Sequence, residues 1–214
     1  MVQKTFLVFG ATGRTGRHFT SLALNEGHRV RVLVRDPGTL DPATPHLEIH
    51  RGSITDPIDL DRLVHGSDFV VSLLGNARLQ KSQEINTAFV RQLVPAMRRQ
   101  GVKRFLYQAG GLSSPPDRAL PPILRAIRST VARRHLGQHR DNEAVMRYLA
   151  EEAEDIEWMV HRAGIGSDGP SKGVLERSSR KVSIATFRDC ASYDYRILTD
   201  ASAIHTCDVS AYRP

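Results

Sequence analysis

The sequence predicts a single α/β domain organised around a doubly wound parallel sheet, and three observations carry that expectation. An apolar, strand-like run at residues 5–9 leads into Gly10-Ala11-Thr12-Gly13-Arg14-Thr15-Gly16, and an amphipathic run over 17–26 follows, closed by Gly27. Strand-like and helix-like segments then alternate along most of the chain. Residues 68–75 form a nearly continuous apolar run, as expected of a central parallel strand buried on both faces.

Taken in order, the second strand is expected at 29–35, ending at Arg35 before the turn Asp36-Pro37-Gly38. A third is expected at 46–52. Asp56-Pro57 reads as a helix start, with Asp56 as N-cap and Pro57 as first helical residue. The fourth strand, 68–75, precedes a helix at about 82–99, with Pro95 in its interior expected to kink it. The fifth strand follows at 103–108, and right-handed crossovers join these units. Beyond it lies a long connection rich in proline (Pro115-Pro116, Pro121-Pro122) and then a basic segment from Arg125 to Arg140. A helix at about 138–152 and a strand at 156–161 complete the expected regular structure. Segments 111–137 and 164–205 are expected to wall a substrate pocket within one domain spanning 1–214.

Composition narrows the function. A length of 214 residues, 40% hydrophobic and 25% charged, suits one globular domain with a sizeable core. No apolar run approaches the ~20 residues of a membrane span, and Met1 leads almost directly into the first strand without a signal-peptide region. Two cysteines, Cys190 and Cys207, fit a reducing cytoplasm. The net charge of +7 favours anionic ligands. Few aromatics interleave with the basic 125–140 segment, so a nucleic-acid surface is not expected. The expected partner is a small-molecule substrate, with neither membrane nor metal.

Strand, glycine turn and helix together form the context of a dinucleotide-binding fingerprint, here spaced G-x-x-G-x-x-G. Gly10 permits the tight exit from the strand. Gly13 lets the backbone approach a pyrophosphate, which the helix N-terminus stabilises, and Gly16 lets the helix pack close to the strand. Thr12, Arg14 and Thr15 complete the loop. At the end of the second strand, an acidic residue would bond a ribose 2′-hydroxyl, whereas a cation accommodates a 2′-phosphate. Arg35 stands there and Arg14 can approach the same phosphate, so the expected cofactor is NADP(H). Ligands in open α/β sheets sit beyond the carboxyl ends of the strands. That rule adds Ser53, Ile54, Leu73, Leu74, Gly75, Gln108, Ala109 and Gly110 to the cofactor-binding candidates.

The motif Gly10–Gly16 resembles the opening loop of atypical short-chain dehydrogenase/reductase proteins, specifically the NAD(P)H-binding group of NmrA-like regulators and biliverdin-IXβ/flavin reductases. Gly52-Ser53-Ile54-Thr55-Asp56 is similar to that group's G-D-[VI]-T-D turn, with Ser53 in place of an acid near the adenine. Asp141-Asn142-Glu143-Ala144 and the run from Asp155 to Gly164 resemble its "E-A … L-D-W-T-I-V-R-P-G" segment. Thr206-Cys207-Asp208-Val209-Ser210 resembles its "A-D-V-A" helix start. The resemblance implies a Rossmann-like fold and a nicotinamide cofactor. It departs from the short-chain pattern in lacking the Tyr-x-x-x-Lys pair, since Tyr107 is followed four residues on by Gly111 and Tyr148 by Glu152. Relatives often carry a lysine where this chain has His139, and usually continue with a further helix beyond the point where this chain ends.

The candidate catalytic residues are therefore Ser113, Tyr107 and His139. His139 reads either as a ribose contact or proton relay, or as a solvated histidine in a basic stretch. Ser113 and Ser114 read either as hydroxyls near the nicotinamide or as shapers of the loop before Pro115. The expected activity is NADP(H)-dependent reduction of a small, conjugated substrate. The alternatives are a non-catalytic NADP(H)-binding regulator and a non-redox isomerase or cyclase on the same fold.

Overall fold

Alternating apolar side chains in the first strand, β1 (Thr5–Phe9), cannot all reach one core. In the computed structural model, which describes residues 2–164, 166–179 and 181–213, Phe6 and Val8 join one apolar cluster and Leu7 and Phe9 another. The sheet is thus buried on both faces. Its strands β2 (Arg29–Val34), β3 (Leu47–Arg51), β4 (Phe69–Ser72), β5 (Arg104–Gly110) and β6 (Glu157–Ala163) are parallel to β1 in the order β3-β2-β1-β4-β5-β6. Two further strands extend it. β8 (Cys207–Tyr212) runs parallel to β6, and β7 (Leu175–Ser178) pairs antiparallel on its far side.

Helices α2 (Leu60–Val64), α3 (Ile85–Arg99) and α5 (Leu136–Glu152) cover one face. Helices α1 (Arg14–Asn25) and α6 (Phe187–Ile197) cover the other, with Phe19 and Ala23 of α1 and Cys190, Ala191 and Ile197 of α6 in one cluster. The chain order reverses between β1 and β4, and at such a switch point the strand ends open a crevice. A short helix, α4 (Pro122–Ser129), lies outside these layers and buries none of its residues.

Several expectations are corrected. Asp56-Pro57 does not start a helix: α2 begins at Leu60 because Asp59 accepts from the Arg62 N–H and caps it. The segment 206–210 is not a helix start but the strand β8, whose Val209 and Ser210 are buried against β6 and β7. The regular structure does not stop at β6, and of the segment expected to wall a pocket, Phe187–Ile197 forms the helix packed on α1. Pro95 lies inside α3, which runs from Ile85 to Arg99, as the sequence leads one to expect.

One polar contact fixes α5 to the start of α3. The Asp141 side chain, fully buried on α5, accepts the Asn86 and Thr87 backbone N–H groups at 3.0 and 2.9 Å. It also accepts from the Thr87 hydroxyl at 2.7 Å and from the Gln80 amide at 2.7 Å. First-turn N–H groups lack intrahelical partners, and an anion there meets the positive end of the helix dipole. No α3 residue supplies its own cap. Removing the carboxylate strands several buried donors at once, each costing about 1–3 kcal/mol. Asp141→Ala is expected to lose about 3 kcal/mol or more in urea unfolding, and Asp141→Asn, whose amide nitrogen would face N–H donors, to lose much of this too; a loss below about 1 kcal/mol for Asp141→Ala would contradict the capping role.

Candidate functional site

The cleft at the switch point is built from the ends of several strands. It is lined by the glycine turn, the end of β2, the turn after β3, the exit of β4 and the first residues of α3. Gly10 has φ +83° and lies against β4, where a Cβ would come within 2.6 Å of the Leu73 carbonyl oxygen. At Gly16 a Cβ would meet the Gly10 carbonyl oxygen at 2.0 Å. The turn therefore exists only because side chains are missing at these two points. The Gly13 N–H closes the turn onto Gly10 O at 2.9 Å, and α1 starts with no side-chain cap and no acid in its first turn. The N–H groups of that turn have no intrahelical acceptor and face outward at the positive end of a dipole. An anion fits this cradle, and a bound pyrophosphate would be held by backbone alone.

Of the predicted cofactor residues, Gly10, Thr12, Gly13, Arg35, Ser53, Ile54, Leu73, Leu74 and Gly75 line the cleft. Arg35 is exposed at its rim and makes no ion pair among the described residues. The Arg14 guanidinium sits instead over the Phe187 ring, 5.4 Å from its centroid. Thr15 and Gly16 are turned inward, and their contribution to the cradle is backbone. Ala109 is buried in the sheet. The Gln108 amide donates to Asp194 at 2.8 Å, within a buried set in which Asp194 also bonds His161 Nδ1 at 2.6 Å and His161 Nε2 meets Ser210 Oγ at 2.8 Å. Burial pushes the Asp194 carboxyl up, and the adjacent His161 opposes it. Gly110 faces His139 and Asn142, whose nearest atoms lie 3.8 and 3.9 Å from the place a Cβ would take.

Ser113 and His139 adjoin each other beyond the end of β5, whereas Tyr107 lies within β5 and reaches them through Asn142. Tyr107 is fully buried; its hydroxyl accepts from Asn86 at 3.0 Å and donates to Asn142 Oδ1 at 2.7 Å. Desolvation pushes that hydroxyl well above the ordinary tyrosine value, so it stays protonated. Asn142 Nδ2 donates to Ser113 Oγ at 3.3 Å, and Ser113 Oγ lies 3.4 Å from His139 Nδ1. His139 is buried rather than solvated, and burial followed by the nearby Arg128 charge pushes its pKa down to about 4. It is neutral at physiological pH.

The loop carrying Ser113 is held from two sides. Glu143 accepts the Ser114 N–H at 2.7 Å and pairs with Arg128 of α4. The buried Arg162 guanidinium donates to the carbonyls of Ser113 at 2.9 Å, Gly111 at 3.3 Å and Cys207 at 3.4 Å. Sequence reasoning missed Asn86, Asp141, Asn142 and Arg162 as site-forming residues. The signal was available for two of them, because Asp141 and Asn142 fall on the apolar stripe of α5 with Val145, Met146 and Leu149, where polar residues need buried partners.

Comparisons with known proteins agree with this geometry. A family described as NAD(P)H-binding matches residues 10–189. The 3 beta-hydroxysteroid dehydrogenase/Delta 5-->4-isomerase of Mycobacterium tuberculosis is 35% identical over 112 residues, 47% of this chain and 30% of that protein. The isoflavone reductase homolog IRL of Zea mays is 33% identical over 116 residues, 50% of this chain and 35% of that protein. The chain thus spans about a third of the length of these curated relatives. Among solved structures, the oxidoreductase ylbE from Lactococcus lactis superposes with a TM-score of 0.78 at 14% identity, covering 98% of this chain and 91% of that one. The anaerobillin reductase ChuY from Escherichia coli O157:H7 gives 0.77 at 16% identity, covering 98% and 99%. Both share the fold.

The depressed His139 pKa sets a pH dependence. In the unfolded chain the imidazole binds a proton below its ordinary value of 6.5, whereas the folded protein refuses it until about pH 4. The contribution is complete above pH 6.5 and is lost as pH falls toward 4. Wild type is expected to lose urea stability across that window more steeply than His139→Gln. Parallel curves would mean that His139 is not held neutral.

Proposed function

The chain belongs to the NAD(P)H-binding family, and from that premise we propose that it is an NADP(H)-dependent reductase of a small organic, conjugated substrate. The observation that carries the cofactor preference is Arg35, an exposed guanidinium without an ion-pair partner among the described residues, at the cleft rim where β2 ends. A 2′-phosphate dianion gives that cation a partner, and Arg14, released from Phe187, adds a second. Gly10, Thr12, Gly13 and the first-turn N–H groups of Arg14, Thr15 and Gly16 hold the pyrophosphate. Ser53 and Ile54 flank the adenine, and Leu73, Leu74 and Gly75 border the path towards the nicotinamide.

When bound, the reduced nicotinamide supplies a hydride to the substrate. The chain's own residues bind, orient and exclude water. Gln108, Ala109 and Gly110 form the floor at the end of β5, and segment 111–137, with the described residues of 166–186 ahead of α6, walls the substrate pocket. Of the three candidate catalytic side chains, Ser113 and His139 adjoin each other, and Tyr107 reaches them only through Asn142. The relatives named as reductases and dehydrogenases support the redox reading. A cytoplasmic location belongs to the same proposal, supported by two buried free thiols, Cys190 and Cys207.

The missing Tyr-x-x-x-Lys pair favours a second reading, a non-catalytic NADP(H)-binding regulator of the NmrA-like kind. NADPH consumption with quinone, flavin and aldehyde substrates separates the two. The cofactor is tested by titrating NADPH and NADH. NADPH is expected to bind at least tenfold tighter, about 1.4 kcal/mol, and Arg35→Ala is expected to close most of that gap. Equal affinities in wild type would remove the 2′-phosphate assignment, and no binding of either nucleotide would remove the reductase reading.

A further inference from the structure

The polar groups behind the cleft form one continuous series whose direction is fixed by a backbone carbonyl. Asn86 Nδ2 lies 3.4 Å from the Leu74 carbonyl oxygen and 3.0 Å from Tyr107 Oη. A carbonyl only accepts, so the amide nitrogen, not the amide oxygen, must face Leu74 and with it Tyr107. The next two steps follow from that orientation. Tyr107, already accepting from Asn86, donates its proton to Asn142 Oδ1 at 2.7 Å. That leaves Asn142 Nδ2 to donate to Ser113 Oγ at 3.3 Å. Ser113 Oγ, with one lone pair taken by Asn142, has its own proton available for His139 Nδ1, 3.4 Å away.

We propose that this one-way chain holds His139 as the neutral tautomer protonated on Nε2, with Asn142 and Ser113 as its positioning residues, and that the Nε2–H is presented as a hydrogen-bond donor to an acceptor oxygen of the bound substrate. The two loose ends of the series agree in sign. Asn86 Oδ1, an acceptor, and His139 Nε2, a donor in the proposed tautomer, are both buried with no hydrogen-bond partner among the described residues. A buried N–H left bare is unfavourable, and a ligand oxygen removes that penalty. The ring lies beside Gly110 at the carboxyl end of β5, the side on which ligands of such sheets bind. A neutral imidazole polarises a carbonyl oxygen without giving up its proton, so His139 acts on charge and not as an acid. The tautomer rests on the hydrogen bonds alone; its use on a substrate rests on the reductase reading.

The test is a long-range proton–nitrogen spectrum of protein labelled with 15N-histidine, at pH 8, on wild type, Asn142→Asp and Ser113→Ala. Wild-type His139 is expected to show the Nε2–H pattern. Asn142→Asp puts an acceptor opposite Ser113, so the serine turns to donate to it and accepts from His139, and the tautomer inverts to Nδ1–H. Ser113→Ala removes the partner of Nδ1 and is expected to leave a mixture, which keeps the test open should Asn142→Asp fail to fold. An Nδ1–H pattern in wild type, or Nε2–H unchanged in every variant that folds, overturns the proposal. NADPH titrated into the same samples separates the two readings. Failure of wild type to bind removes the cofactor assignment and the substrate role of the donor, and leaves the tautomer result standing.

Discussion

A single buried carboxylate holds the two halves of the site in register. Asp141 belongs to α5, yet the groups it satisfies belong to the first turn of α3 and the segment before it. Without that anion the start of α3 would present bare N–H groups to an apolar core, an arrangement proteins seldom tolerate. With it, Asn86 is fixed between the exit of β4 and the Tyr107 hydroxyl. Asn142, the next residue of α5, is fixed between Tyr107 and Ser113. The cleft and the polar series behind it thus share one anchor.

Arg162 plays the complementary part on the other side. Its guanidinium is buried and bonds only carbonyl oxygens, two of them in the loop after β5 and one at the start of β8. Burial lowers its pKa without removing its charge. Carbonyl dipoles aimed at one cation hold a loop that has no regular structure of its own. That loop carries Ser113, so its position is decided by strands β6 and β8 together with Glu143 of α5.

What the sequence disclosed follows the range of the forces involved. The β1–turn–α1 unit was legible because its requirements are local: a strand pattern, glycines where Cβ atoms would collide, and an amphipathic helix. Strand ends were legible for the same reason, so Arg35, Ser53 and Leu73–Gly75 were found at the cleft. The start of α2 was misplaced because Asp56-Pro57 and Asp59 are both acceptable caps, and packing chose the second. β8 was misread because a strand completed by β6 and β7 is specified by partners distant in sequence. The Asn86–Tyr107–Asn142–Ser113 series joins four separate elements, and no spacing within one segment encodes it.

Helix α4 has a consequence of another kind. None of its residues is buried, and its link to the layers runs through Arg128 and Glu143. Very little of the free energy of folding is invested in it. Substitutions along Pro122–Ser129, Arg128 apart, therefore carry small stability penalties, while changes at Gly16 or Asp141 carry large ones. Changes there leave the core, the glycine turn and the Asp141 anchor untouched, so this stretch of surface can diverge in sequence while the fold stays the same.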